Sequence, residues 1–279
     1  MRKTGHFFLA FVPLLLVEVI QFFAIFFVFG ISFVTDFFYN INYGGIINSI
    51  NDVYGMFSDY NFANFIMIIY SIIVICSFGL WYYIKLGGEF RFDFKNNFNL
   101  FKLSGVLLLV PGAQFLSAYI TSITGFIVPE WFEQYEELLD AAGFEYGVTV
   151  VLFLYSVIFA PICEEIIFRG VTMNLAKVAV PFWLANILQA FLFGVYHMNW
   201  IQGIYAFVLG LILGYICERC GKIHYAILFH MLFNFWGTVL SGFMPDEIST
   251  LVAVIIYIFM FASLILGFIL LHIGNKKTI

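Results

Sequence analysis

Val148–Leu175 reads VTVVLFLYSVIFAPICEEIIFRGVTMNL. A helix crosses the hydrocarbon core of a bilayer with roughly 20 predominantly apolar residues, and this run is long enough. Glu164, Glu165 and Arg169 lie inside it. Ionisable side chains at such positions are costly and turn toward the interior of a bundle rather than toward lipid. The stretch therefore predicts one helix of a membrane bundle, with neighbours that shelter its charges.

The rest of the chain has the composition to supply those neighbours. Of its 279 residues, 63% are hydrophobic and 10% charged, against roughly 25% charged in an average soluble domain. Mean hydropathy is +1.01. So few charges make no polar skin, which excludes a soluble globular protein, a disordered chain and a nucleic-acid binder. Seven further apolar runs stand out: Phe7–Val34, Phe62–Leu86, Leu100–Val128, Phe182–Met198, Ile201–Cys217, His224–Phe243 and Ile248–Ile273. The predicted fold is an all-α polytopic transmembrane bundle of about eight spans. The first run is too long for a signal-peptide core and no A-x-A site follows it, so it reads as an uncleaved span. Residues 1–147 form an N-terminal part of three spans, 148–243 a central core of four, and 244–279 a last span with a basic tail.

The charges test this count. Arg2 and Lys3 precede the first span; Lys85, Arg91, Lys95 and Lys102 lie between the second and third. Arg169 and Lys177 end the fourth, Arg219 and Lys222 separate the sixth from the seventh, and Lys276 and Lys277 follow the eighth. Every Lys and Arg thus falls on one side. The opposite loops carry Asp36, Asp52 and Asp59, then Glu130 through Glu145, then Asp246 and Glu247. By the positive-inside rule both termini are cytoplasmic. The acidic segment has Trp131, Phe132, Tyr135, Leu138 and Leu139 at roughly helical spacing, and is either an interfacial helix or a solvated loop. Cys76, Cys163, Cys217 and Cys220 are too few and scattered for a disulfide framework, and Cys217 with Cys220 reads as small apolar residues at a helix end.

Polar residues inside the spans carry the functional signal. Residues four apart on a helix share a face. Glu165 and Arg169 are such a pair, so Arg169 is expected to neutralise Glu165. Glu164 points about 100° away and has no partner on its own helix. His230 and Asn234 share a face of the seventh span; Phe193 lies one turn before His197 in the fifth. Hydrolysis needs such a set: a base to activate water and donors for the developing oxyanion. Glu164 would activate water held with help from His197, while His230 and Asn234 would stabilise the oxyanion. Helix packing explains the same residues equally well. Asn186 and Gln189 are further polar residues of the fifth span, and Glu18 with Gln21 reads as an inter-helix contact. A proton-coupled transporter also uses buried ionisable groups, but the chain shows no repeated halves.

The same residues compose three motifs in order: E-E-x-x-x-R at Glu164, Glu165 and Arg169, F-x-x-x-H at Phe193 and His197, and H-x-x-x-N at His230 and Asn234. In these the chain resembles the CPBP family, the CAAX-processing and bacteriocin-processing intramembrane endopeptidases, also called the Abi or type II CAAX prenyl endopeptidase family. The likeness runs from about Val148 to Trp236. It implies a protease that cleaves a lipidated or leader-type peptide or protein at the membrane, with Glu164 as base, His197 helping to hold the water, and His230 with Asn234 as the oxyanion pocket. Glu165, Arg169 and Phe193 would support the site. A bacterial plasma membrane is the implied location. A catalytically idle scaffold or bacteriocin-immunity protein of the same family is the alternative, and a small-molecule or ion transporter a second.

A metal is left open. Glu164, His197 and His230 offer the ligand set of a zinc site with one position free for water, but no H-E-x-x-H helix is present, and a metal-free mechanism is favoured. One spatial demand follows. His197 lies near the outer end of its span, whereas His230 lies only about two turns from the inner side. For the two to meet, the short hairpin of the fifth and sixth spans must turn within the membrane, with Asn199 and Trp200 inside the bilayer profile.

Overall fold

The computed structural model describes residues 2–40, 45–87, 99–240 and 249–276. Arg91, Lys95, Asp246, Glu247 and Lys277 of the charge map, and the ends of the last two apolar runs at Phe243 and Ile248, lie outside them. Every regular element among the described residues is helical. In chain order these are α1 (Arg2–Leu9) and α2 (Val12–Asn40), α3 (Gly45–Ser58), α4 (Tyr60–Leu86), α5 (Leu100–Ile127), α6 (Pro129–Ala142), α7 (Val150–Ala179), α8 (Phe182–Tyr196), α9 (Trp200–Cys220), α10 (Ile223–Leu240) and α11 (Thr250–Lys276). Seven helical stretches are long and apolar enough to cross a membrane, the first of them Lys3–Tyr39, which joins α1 to α2. The eighth expected span, α8, is shorter at 15 residues. At 1.5 Å per residue it measures about 22 Å, against a hydrocarbon core of about 30 Å.

Contacts between helix ends give the up-and-down order of the spans. At one end Lys102 donates to the carbonyl of Cys220, Asn99 donates through its side chain to the carbonyl of Gly274, and Lys177 pairs with Glu218. At the other end Asn64 donates to the carbonyl of Ala142, Thr149 donates to Asn61, and Tyr60 stacks on Tyr146. Lys102, counted in the sequence as a loop charge, is buried. It answers an unpaired carbonyl at the negative end of α9.

The acidic segment is a helix. Pro129 opens α6 at a position where its missing N–H costs nothing, and Gly143 closes it with φ 91°. Trp131, Tyr135 and Leu139, four residues apart, form its half-buried stripe, while Phe132 and Leu138 are exposed. α3 is also helical, in a segment that showed no span signal.

Small residues let α8 and α9 approach closely. A Cβ on Gly194 would meet the carbonyl oxygen of Gly203 at 2.6 Å, and one on Gly214 would overlap Asn186. Such contacts are the usual basis of helix association in lipid. The polar residues noted in the fifth span hold the same seam: Asn186 donates to the carbonyl of Leu211, and Gln189 donates to that of Gly210 and to Asn186 Oδ1. Gln21 reaches the thioether of Met67 on α4, an inter-helix contact of the expected kind.

α7 is not a uniform α-helix. Leu154–Phe159 and Ile166–Thr172 are π-helical, and Trp236–Leu240 on α10 is as well. Pro161 gives the first of these a cause. It has no N–H, and its ring would crowd the preceding turn of a regular α-helix. The widened turn relieves this, and the N–H of Ala160 bonds five residues back to Tyr155. Between the two π segments, Ala160–Glu165 remains α-helical and carries both glutamates.

Candidate active site

Consecutive residues on a helix diverge by about 100°, yet one imidazole bridges both glutamates of α7. The Nδ1 of His230 lies 2.8 Å from Glu165 Oε1, and its Nε2 lies 3.6 Å from Glu164 Oε2. Arg169 Nη1 lies 3.0 Å from the same Glu165 oxygen, as the spacing of four predicts. Glu165 thus holds Arg169 and also orients His230, a contact between α7 and α10 that no spacing within one helix reveals. Glu165 and Arg169 have 0% exposure, whereas Glu164 retains 8%. Of the two carboxylates, Glu164 is the one a water molecule can reach.

Phe193, fully buried on α8, is the hub. The Arg169 guanidinium carbon lies 4.5 Å above its ring centre. The rings of His197 and His230 meet it edge-on at 4.8 and 5.9 Å, and that of Phe168 at 5.1 Å. The two histidines therefore meet around one ring although they start from opposite ends of the bundle. The short α8 permits this.

Tautomers follow from the partners. His197 Nδ1 lies 2.8 Å from the carbonyl of Phe193. A carbonyl only accepts, so Nδ1 donates and Nε2 of the neutral ring presents a lone pair. Asn234 donates through its side-chain amide to the carbonyl of Ser156 at 2.8 Å. Its second N–H is left for another acceptor. Ser156 sits in the first π segment of α7, and its hydroxyl lies 3.3 Å from that of Thr238. Sequence reasoning missed Ser156, because its contribution is a backbone carbonyl. It also missed Tyr70 and Tyr196, since a tyrosine in a chain this aromatic carries no signal.

The turn at Asn199 and Trp200 lies against α6. Trp131 stacks on Trp200 with ring centres 5.2 Å apart, and Asn199 donates to the carbonyl of Gln134. Trp200 is 62% exposed outside that contact. An apolar hollow of about 500 Å³ opens between α8 and α9 beside this turn, lined by Phe191, Val195, Met198 and Phe207 among others. Neither Glu164, His197, His230 nor Asn234 lines it, so the hollow is separate from the polar cluster. Among the described residues no group of three or more His, Cys, Asp or Glu side chains is set to hold a metal ion. Glu164 and His230 face one another, but no third ligand joins them.

A family profile described as type II CAAX prenyl endopeptidase Rce1-like matches residues 146–236. The match takes in about a third of the 279 residues, and over this segment the chain is similar to that family. The matched residues include α7, α8 and α9 and reach Trp236 in α10, so the family segment holds the whole cluster of Glu164, Glu165, Arg169, Phe193, His197, His230 and Asn234. α1 to α6 and α11 lie outside it. The family is one of CAAX-type endopeptidases of the membrane, and the apolar helices around the cluster agree with that setting. No curated protein and no solved structure matches the chain.

Proposed function

We propose that the protein hydrolyses a peptide bond of a membrane-associated peptide or protein, with Glu164 as the base that activates water. The observation that carries this reading is the asymmetry of the two glutamates. Glu165 is sealed and engages both His230 and Arg169 through Oε1, while Glu164 keeps access and faces the Nε2 of His230.

The chemistry can be written from the chain's own residues. One hydrogen of the water is accepted by Glu164 and the other by the lone pair of His197 Nε2, whose direction is fixed by the Phe193 carbonyl. Glu164 takes its proton as the water oxygen bonds to the scissile carbonyl carbon, and the carbonyl electron pair moves onto oxygen. Two donors suit that oxyanion: the second amide N–H of Asn234, and the Nε2–H of His230 when the ring is an imidazolium. Glu164 then returns its proton to the leaving nitrogen as the C–N bond breaks. No step requires a metal. The substrate would be lipidated or of leader type, and the setting a bacterial plasma membrane with both termini cytoplasmic.

The test is cleavage of membrane-anchored peptides by purified protein in lipid nanodiscs, wild type against Glu164→Gln, with and without a chelator. Cleavage that is lost in the variant and survives the chelator is the expected result. Undiminished cleavage by Glu164→Gln would overturn the mechanism, and loss on chelation would replace it with a metal-assisted one. Ion-dependent flux that persists in Glu164→Gln proteoliposomes, without proteolysis, would support a transporter instead.

A further inference from the structure

The polar cluster has a wall that the family segment does not contain. Tyr70, on α4, is 1% exposed, and its hydroxyl lies 3.2 Å from that of Tyr196. Tyr196 ends α8 and immediately precedes His197; its ring packs edge-on against Phe168 at 5.5 Å and His197 at 5.7 Å. The neighbour of Tyr70 on α4, Ser71, is also buried, and its hydroxyl donates to the carbonyl of Met67 on the same helix. Both phenols of the pair interact electrostatically with Glu164. α4 packs here against the turn of α7 that carries the base.

Burying hydroxyls costs free energy that two phenylalanines of nearly the same shape would avoid. The pair also has two hydrogens, and the bond between the hydroxyls uses only one. Tyr70 is sealed, whereas Tyr196 is only half-buried and lies beside His197. The arrangement that uses both hydrogens has Tyr70 donating to the oxygen of Tyr196, which leaves the Tyr196 O–H for a second acceptor. A hydroxyl that accepts one hydrogen bond becomes a stronger donor in the next.

We infer that Tyr196 donates a hydrogen bond to the scissile carbonyl oxygen as it becomes an oxyanion, and that Tyr70 is its positioning residue on α4. The inference rests on the endopeptidase reading above. It also gives the N-terminal half of the chain a part in the site. No proton is transferred by either phenol in this role; the hydroxyl stabilises charge and is released unchanged.

The experiment compares wild type, Tyr196→Phe, Tyr70→Phe, the double variant and Glu164→Gln in nanodiscs, on one cleaved peptide, with thermal melting measured for each. Losing one oxyanion donor costs up to about 100- to 1,000-fold in kcat. Tyr196→Phe is expected to lower kcat at least about 10-fold at nearly constant KM and melting temperature. Tyr70→Phe should have a smaller effect, and the double variant should be no slower than Tyr196→Phe alone. A peptidyl trifluoromethyl ketone, whose hydrate mimics the tetrahedral adduct, should lose affinity for Tyr196→Phe by a larger factor than the parent peptide does. Should Tyr196→Phe fail to fold, difluorotyrosine at position 196 keeps the shape and raises the acidity of the phenol; a kcat equal to wild type there would overturn the inference. So would full kcat in Tyr196→Phe, or strictly multiplicative losses in the double variant. If Glu164→Gln is inactive while both phenylalanine variants cleave normally, this inference alone fails; if Glu164→Gln cleaves normally, the endopeptidase reading fails with it.

Discussion

Glu165 is the residue on which the polar cluster balances. Its carboxylate meets a guanidinium on its own helix and an imidazole from α10, all three sealed from solvent. Removing one partner of a buried ion pair leaves the other charge uncompensated and costs about 3–5 kcal/mol. Glu165→Gln should therefore lower the melting temperature sharply, and adding Arg169→Met should recover much of the loss. An unchanged melting curve for Glu165→Gln would show that Glu165 does not hold the charge of Arg169. The Glu165–Arg169 contact was legible in the sequence because a spacing of four on a helix forces it. The Glu165–His230 contact was not, since residues 65 apart in the chain meet only through the packing of α7 on α10.

At the level of elements, the hairpin of α8 and α9 sets the depth of His197. Its seam has no room for a side chain at Gly214, where a Cβ would overlap Asn186 and come within 2.8 Å of Gln189 Nε2. Gly214→Ala should destabilise the protein by about 1–3 kcal/mol through overpacking, read as a fall in melting temperature. A melt matching wild type would mean that the seam gives way easily. The turn of the hairpin is seated under α6 by the Trp131–Trp200 stack. Aromatic pairs contribute about 0.5–1.5 kcal/mol, so Trp131→Ala should raise amide exchange in α6 and leave α7 protected. Equal exchange in variant and wild type would show that the stack does not seat α6. The span of only 15 residues also bears on depth. A spin label on Asn199→Cys should be relaxed more by oxygen than by a water-soluble nickel chelate, and the reverse would put the turn in outer solvent. The short length of the fifth span was readable from its polar and proline boundaries. The acidic segment was not decided by its pattern, because five apolar residues at loose spacing suit a loop as well as a helix. The helical α6 is seen against α9, where Trp131 and Tyr135 find Trp200 and Tyr205.

For the whole molecule the sequence determined most of what the bilayer demands. Helices are forced wherever about 20 apolar residues must satisfy their own backbone in lipid, and the placement of Lys and Arg orders their ends. The expected orientation is testable: Glu136→Cys should react with an impermeant maleimide in intact cells, and Lys85→Cys only after permeabilisation. The opposite labelling would invert the topology. The three motifs lie within the segment that the family profile matches, so the likeness to that family was legible from the residues alone. Only the tertiary structure decided which groups face one another: His230 between two glutamates, Phe193 beneath two histidines and an arginine, and Tyr70 of α4 against Tyr196. The physical reason is the difference between a local and a non-local constraint. Apolar length and helical spacing act within one segment and are written in it. The meeting of side chains from α4, α7, α8 and α10 depends on how small residues, π turns and proline let whole helices approach, and no single segment carries that information.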